Sequence, residues 1–260
     1  MTDIEIRPHL RTKLFGRTLF AFDTLDSTNL RARTLAGEGA EQGTVVIADK
    51  QTAGRGRLGR TWTSDKGENL TFSVILKPSI PAESASVISM YAALAVAEAI
   101  QSETGMKPEC KWPNDVLLGG KKFCGILSEA IFNQRQLTSV IVGIGINVNQ
   151  SAFPPDLLPR TTSLRLAKNR IFDRFEILAS VLSRLEDLYT EIESGRLNEI
   201  LQSWMQYSTM FGRQITVDRQ GDILRGVATR LADDGGLIVH AGGREFKILA
   251  GDVTLAESKQ

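Results

Sequence analysis

The sequence predicts an α+β protein in two parts, a helix-flanked sheet over residues 1–210 and a small β-barrel over residues 211–260. Three observations predict it. Short β-branched or apolar runs alternate with helical stretches through the first part. Within it, a strand, the turn Gly119-Gly120 and a second strand mark an antiparallel hairpin. After Phe211-Gly212, short strands crowd together between the turns Gln220-Gly221-Asp222, Asp233-Asp234-Gly235-Gly236 and Gly242-Gly243, the pattern of a small antiparallel barrel.

In chain order, Leu19 to Asp23 reads as a strand, followed by Asp26-Ser27-Thr28-Asn29 and a helix through Leu35. Ser27 or Thr28 is a natural N-cap there, because a hydroxyl can accept from an unpaired first-turn N–H, and Gly37-Glu38-Gly39 ends the helix. Thr44 to Ala48 is β-branched and flanked by turn residues, hence a strand. A polar, glycine-rich connection runs from Asp49 to Asn69; connections of that length are generally functional or disordered. Leu70 to Lys77 is a strand, Pro78 and Pro81 break the chain, and Ala85 to Glu103 is apolar enough for a buried helix. Val116 to Leu118 and Cys124 to Ala130 are the arms of the hairpin, and Leu137 to Val148 is another buried strand. Pro154, Pro155 and Pro159 make Gln150 to Arg160 a loop able to move. Helices follow over Asp173 to Glu193 and Leu197 to Ser208, the first with Phe175, Leu178, Val181, Leu182, Leu185 and Leu188 on one face. The barrel strands are Gln214 to Val217, Ile223 to Ala228, Leu237 to His240, Glu245 to Leu249 and Val253 to Leu255.

Composition narrows the function classes. Lysine and arginine number 31 against 30 acids, so nothing in the charge balance points to DNA or an anionic membrane as partner. Cys110, Cys124, His9 and His240 are scattered, which makes a poor zinc site and reads better as reduced core thiols. The start, Met1-Thr2-Asp3-Ile4-Glu5-Ile6-Arg7, lacks a signal-peptide pattern, and Leu137 to Val148 is too short to span a bilayer. A cytoplasmic protein is the expectation.

The long loop holds Gly54-Arg55-Gly56-Arg57-Leu58-Gly59-Arg60, which formally satisfies the dinucleotide fingerprint. That fingerprint needs a strand turning tightly into a helix, and no helical pattern follows here. Glycines beside arginines instead let a backbone close around a polyanion while guanidinium forks bind phosphate oxygens. Alone, the run reads equally as a solvated basic loop or a nucleic-acid contact.

Its neighbours are more specific. Lys111-Trp112-Pro113-Asn114-Asp115 precedes the hairpin, Lys121-Lys122-Phe123-Cys124-Gly125-Ile126-Leu127 opens its second strand, and Gly143-Ile144-Gly145-Ile146-Asn147-Val148 lies on a further strand. Together with Asp26-Ser27-Thr28-Asn29 and Gln51, and in this order from about Leu25 to Leu255, these segments closely resemble the biotin protein ligases. The resemblance implies a mixed, largely antiparallel sheet flanked by helices, similar to the cores of class II aminoacyl-tRNA synthetases, with an SH3-like C-terminal barrel.

It also implies roles. Ser27, Thr28, Asn29 and Gln51 line the biotin site; Gly54, Arg55, Gly56 and Arg57 belong to a loop that closes over biotin and the adenylate, and Arg60 is a further phosphate contact. Lys122 reaches the biotin carboxylate and the α-phosphate, Asp115 serves the incoming amine, Asn114 and Asn147 serve the nucleotide or its Mg²⁺, and Gly143 and Gly145 make room for the biotin ring. No protein-held metal is expected. Ser27 and Thr28 remain readable as a helix cap, Trp112 and Trp62 as packing residues with Trp62 also a neighbour of nucleotide, Lys121 as a solvated charge, and Phe153 as a cover for adenine.

The implied reaction joins biotin and ATP into biotinyl-5′-AMP, then transfers biotin to a lysine of a biotin carboxyl carrier protein, that of acetyl-CoA carboxylase or a related enzyme. The loop doubles as a lid against water. A lipoate ligase would carry a triple-glycine run leading to a histidine, absent here. A repressor would need a DNA-binding domain, whereas the residues ahead of Asp26 fall short of the ~50 of an independent domain. A homodimer is one candidate assembly. One departure stands out: Leu255 is followed by Ala256-Glu257, where family members often place a nucleotide-approaching arginine.

Overall fold

The computed structural model describes residues 1–255; the Ala256-Glu257 departure lies outside the described residues. A short helix α1 (Asp3–Ile6) precedes strand β1 (Leu19–Leu25), helix α2 (Thr28–Gly37) and strand β2 (Val45–Gln51). β1 and β2 pair in parallel, with α2 as their crossover. Then come β3 (Leu70–Leu76), α3 (Val87–Thr104), β4 (Glu109–Lys111), β5 (Asp115–Leu118), β6 (Lys121–Asn133) and β7 (Gln136–Ile146). Seven strands form one sheet in the order β1-β2-β3-β7-β6-β5-β4, antiparallel beyond the first pair. This is the expected mixed, largely antiparallel sheet. Helices α4 (Leu164–Lys168), α5 (Arg174–Glu193) and α6 (Leu197–Gln206) follow. The sequence reading placed neither α1, β4 nor α4, each too short to display a period.

The sheet has two unlike faces, because successive strand residues point to opposite sides. Val45, Phe72, Val74, Val142 and Ile144 enter the main core, while Val46, Ile75 and Ile141 meet Ala32 and Leu35 of α2 on the other side. α3 packs on the first face and is backed by α5 and α6. That sandwiched position explains why it is apolar on every side and buried along most of its length. By length and composition Ala82–Thr104 would suffice to cross a bilayer, but most of it is buried inside the fold. α5 starts where expected, its first turn capped by the Asp173 carboxylate accepting the Phe175 N–H at 2.8 Å.

The C-terminal strands are β8 (Gln214–Arg219), β9 (Asp222–Leu231), β10 (Leu237–Ala241), β11 (Arg244–Ile248) and β12 (Asp252–Leu255). They pair antiparallel in the order β11-β10-β9-β8-β12. Among the described residues β11 and β12 end that order, and this five-stranded antiparallel sheet is compatible with the expected small barrel. Its apolar side, with Ile215, Val217, Val239 and Ile248, continues the main core. Trp112 pins the two parts together through its indole N–H, which donates to the Gly235 carbonyl at 3.1 Å. Trp112 is thus a packing residue, and Cys110 and Cys124 are buried free thiols.

Candidate active site

On the second face α2 covers only one end of the sheet. The register sets Thr71, Gly145, Gly125 and Asp115 in one cross-strand row and Ser73, Gly143 and Leu127 in the next. Cross-strand neighbours share a side, so three glycines leave a trough in this surface. The sequence reading expects Gly143 and Gly145 to make room for a ring; in the structure each makes room for a protein side chain. A Cβ on Gly143 would lie 2.9 Å from Asn29 Cγ, and one on Gly145 would lie 2.6 Å from Trp62 Cζ2.

One wall of the trough is the N-terminus of α2. Ser27 holds the N-cap position in extended conformation, but among the described residues its side chain makes no cap bond. Thr28 donates its N–H to Gln51 Oε1 at 2.8 Å, and its hydroxyl lies 3.1 Å from the same oxygen. The Ser73 hydroxyl is 2.8 Å from Thr28 Oγ1 and 2.6 Å from Asn29 Oδ1. The Asn29 amide donates to the Leu127 carbonyl at 3.2 Å and to Glu129 Oε2 at 2.7 Å. Since each hydroxyl has one proton, a consistent chain of donation runs from Thr28 through Ser73 and Asn29 to Glu129. It fixes the Asn29 amide with its oxygen toward β3.

A second wall is the arginine loop. It is folded as a narrow return: Gly56 N–H bonds the Arg60 carbonyl at 2.7 Å and Trp62 N–H bonds the Gly54 carbonyl at 3.0 Å. A Cβ on Gly54 would collide with the Trp62 backbone carbonyl and sit 3.0 Å from Gln51 Nε2, so this glycine permits the loop to fold back tightly on itself beside the pocket. The run turns through a three-residue 3-10 segment, Arg57–Gly59, with Leu58 at φ 54, and no α-helix follows, as the rejection of the dinucleotide reading required. Arg57 Nη1 donates to Asn114 Oδ1 at 3.2 Å, and Asn114 Nδ2 donates to the Ile126 carbonyl at 2.6 Å. Burial lowers the Arg57 pKa from the ordinary arginine value, while Asp252 and Asp115 pull it back. Arg55 lies 3.8 Å from Glu129, and Arg60 pairs with Asp252 of β12.

Lys122 and Asp115 face each other at the trough's open end. Lys122 Nζ is 2.6 Å from Asp115 Oδ1 and 5.7 Å from the centre of the Trp62 ring. The contact is an ion pair rather than an aligned hydrogen bond: among the described residues, Asp115 Oδ1 and Trp62 Nε1 are buried without a hydrogen-bond partner. For Trp62 Nε1, which has no charged partner either, this costs about 1–3 kcal/mol, and such an orphan marks a place where a ligand atom can complete the bonding. The proline-containing loop returns here and grips the Lys122 backbone. Lys122 N–H bonds the Arg160 carbonyl at 2.9 Å, and Thr162 N–H bonds the Lys122 carbonyl at 2.9 Å. Asn147 is nearby but buried, its amide nitrogen donating to the Thr162 carbonyl at 3.1 Å. Lys121 is exposed, as a solvated hairpin charge should be. Among the described residues no group of three His, Cys, Asp or Glu side chains could hold a metal ion. The donor set therefore does not fit a protein-built Mg²⁺ cage.

Residues 21–147 match the Biotin/lipoate A/B protein ligase family. The bifunctional ligase/repressor BirA of Bacillus subtilis is 36% identical, the match covering 98% of this chain and 79% of that protein. The biotin–[acetyl-CoA-carboxylase] ligase of Mycobacterium tuberculosis is 32% identical over 94% of this chain and 93% of its own length. The chain belongs to the biotin protein ligases. The fold agrees with that membership. A biotin protein ligase from Aquifex aeolicus, solved in complex with biotin and ATP, matches this ligase with a TM-score of 0.80 and 31% identity over 93% of this chain and 100% of that one.

In this ligase the structure gathers Ser27, Thr28, Asn29, Gln51, Gly54, Arg55, Arg57, Asn114, Asp115, Lys122, Gly143 and Gly145 around one trough. Arg60 points instead to β12, and Asn147 is part of the supporting structure. Two further residues of the site carry little sequence signal: Ser73 lies in an apolar run whose alternation is its only mark, and Glu129 looks like an ordinary solvent-side strand residue. Trp62, expected as a packing residue with nucleotide nearby, packs over Gly145.

Proposed function

We propose that this ligase condenses biotin with ATP to biotinyl-5′-AMP and passes the biotinyl group to a lysine of a biotin carboxyl carrier protein, as in acetyl-CoA carboxylase. The observation that carries the reading is the convergence of Arg57, Lys122 and Asp115 on a trough walled by the α2 N-terminus and Gln51. A ureido ring presents one acceptor and two donors, and the Ser27, Thr28, Asn29 and Gln51 side chains offer both complements. Arg55, Arg57 and Lys122 supply cations for two anions that must meet, and Arg60 joins them if its pair with Asp252 opens. Gly54 and Gly56 give the loop the freedom to close, Asn114 and Asn147 border the nucleotide side, and Gly143 and Gly145 set the depth of the ring pocket.

In the first step a biotin carboxylate oxygen attacks the α-phosphorus as the bond to pyrophosphate breaks. The Lys122 ammonium and the arginines stabilise the charge building there. In the second, the lysine amine attacks the acyl carbon, AMP leaves with the bridging oxygen, and Asp115 takes the amine proton. Asp115 is held by Lys122 at 2.6 Å, so it becomes available as a base when Lys122 turns to the anions. That exchange gives the two steps an order. Mg²⁺ supplied with ATP would shield the charge of the triphosphate, a task for which this chain offers only the polar side chains of Asn114 and Asn147 beside its cations. Residues 1–210 act as the catalytic domain and 211–260 as an SH3-like domain that helps position the carrier; the enzyme works in the cytoplasm, as a monomer or homodimer, without DNA or membrane.

Purified protein given ATP, Mg²⁺ and biotin should release pyrophosphate, and lipoate in place of biotin should not support release. Label should then reach a carrier domain and be lost when its acceptor lysine becomes arginine. Release with lipoate and none with biotin would overturn the substrate assignment.

A further inference from the structure

The carboxylate that serves the second step stands at the exit of a short turn. Lys111 of β4 pairs with Asp115 of β5, and Trp112, Pro113 and Asn114 cross between them. β4 itself offers little hold. It spans three residues, lies last in the sheet, and among the described residues has a strand partner on one side only. A strand that short is below the usual length, so the turn is fixed by what its own side chains reach.

Two of them reach in opposite directions. Asn114 clasps β6: its carbonyl accepts the Ile126 N–H at 3.0 Å, and its side-chain amide donates to the Ile126 carbonyl at 2.6 Å. Trp112 is 2% exposed and extends into the C-terminal part, where its indole N–H donates to the Gly235 carbonyl at 3.1 Å. The receiving turn, residues 232–236, is built to hold that carbonyl still. Gly235 N–H bonds the Ala232 carbonyl and Ala232 N–H bonds the Gly236 carbonyl, both at 2.8 Å. Asp234 accepts the Gly236 N–H at 3.1 Å through Oδ1 and pairs through Oδ2 with Lys247 at 2.6 Å. Gly235 itself has φ 79, and a Cβ there would sit 3.1 Å from Met90 Cε and 3.3 Å from Ser86 Oγ, so glycine lets the turn press against the start of α3. The Ser86 hydroxyl donates to the adjoining Asp234 carbonyl.

Adhesion between two parts of a chain needs only apolar area. Two successive carbonyls, each accepting a side-chain donor from the catalytic part, fix direction as well, because a hydrogen bond weakens steeply when bent. The consequence differs between the two chemical steps. Lys122 is held on β6 through its backbone bonds to Arg160 and Thr162, independently of this turn. Asp115 follows the turn directly, and misplacing a reacting group by about 1 Å can cost on the order of 10²-fold in rate.

We propose that Trp112 is a positioning residue: by gripping the Gly235 carbonyl it lets the C-terminal sheet set where Asp115 stands, and so governs transfer to the acceptor lysine more than adenylation. The inference rests on the ligase reading, in which Asp115 takes the proton of the incoming amine.

Trp112→Phe keeps an aromatic ring and removes the N–H. In single turnovers with saturating carrier domain, transfer from preformed biotinyl-AMP should slow by about 10–100-fold, while pyrophosphate release and the carrier concentration giving half the maximal rate change little. In an Asp115→Asn background the same substitution should add almost nothing, since residues acting through one another are not additive. Hydroxylamine, neutral at the assay pH, needs no base, and should discharge biotinyl-AMP from Trp112→Phe to the hydroxamate and AMP at the unaltered rate. Ser86→Ala removes the other bond into the turn and should show the same split between steps at smaller size. The proposal is overturned if Trp112→Phe transfers at the unaltered rate, if both steps or the hydroxylamine reaction slow equally, or if its effect multiplies with that of Asp115→Asn. Should Trp112→Phe fail to fold, unaltered transfer by Ser86→Ala overturns it. Failure of the unaltered protein to form biotinyl-AMP would instead remove the ligase reading on which the proposal stands.

Discussion

The two faces of the seven-stranded sheet are built by the same strands in one register, yet they carry different burdens. On the first, Phe72, Val142 and Ile144 are buried against the helical layer, and each such side chain contributes about 1.5–3 kcal/mol. On the second, one residue along, Ser73, Gly143 and Gly145 meet Asn29 and Trp62 in a surface of hydrogen bonds and missing side chains. Alternation along a strand separates cohesion from chemistry at single-residue spacing. Neighbours in sequence should therefore respond very differently to substitution.

The largest contrast is between Lys122→Gln and Ile144→Ala. Lys122→Gln should cut pyrophosphate release by about 10²–10³-fold with thermal stability unchanged. Ile144→Ala should destabilise by about 2–5 kcal/mol in chemical denaturation and leave the rate per folded molecule intact. An equal loss of rate per folded molecule in both would erase the distinction between faces. Next, Gly143→Ala should push the Asn29 amide out of place and weaken biotin binding by about 5–100-fold in calorimetry; unchanged affinity would mean the trough does not hold the ring.

Arg57→Gly opens the lid without touching the sheet. It should let biotinyl-AMP escape and label lysines of a bystander protein, and labelling confined to the carrier would show the lid assignment to be wrong. Ser73→Ala removes one link in the chain through Asn29, about 1 kcal/mol, and should raise KM for biotin roughly fivefold with kcat nearly constant. The smallest effect belongs to the first face. Burial pushes the Cys110 and Cys124 thiols well above their ordinary pKa, so they stay protonated and should resist iodoacetamide at about pH 8 until the protein is denatured. Fast labelling of either in the native protein would show that this face opens.

Much of this contrast was legible in the chain. The pocket segment at Ser27 to Asn29, the arginine loop, Lys122 with Asp115 and the paired glycines were readable because each is a short run whose chemistry is local. What those glycines face was not readable. Gly143 accommodates Asn29, 114 residues away in sequence, and Gly145 accommodates Trp62, 83 residues away, because the pairing of β3, β7 and β6 sets both glycines on the face those side chains reach. Glu129 and Ser73 gain their roles from the same alignment, and as isolated residues they carry no signal.

By itself the sequence determined the order and kind of the long elements, the strand-dense C-terminus and the cationic lining of the site, since periodicity, turn residues and charge act over a few neighbouring positions. Tertiary structure alone decided the short strand β4, the pairing order of the last five strands, the turn of Arg60 toward Asp252 and the bond from Trp112 to the Gly235 carbonyl. Those outcomes depend on strand register and on which face a side chain reaches, and both are settled only when distant segments pack together.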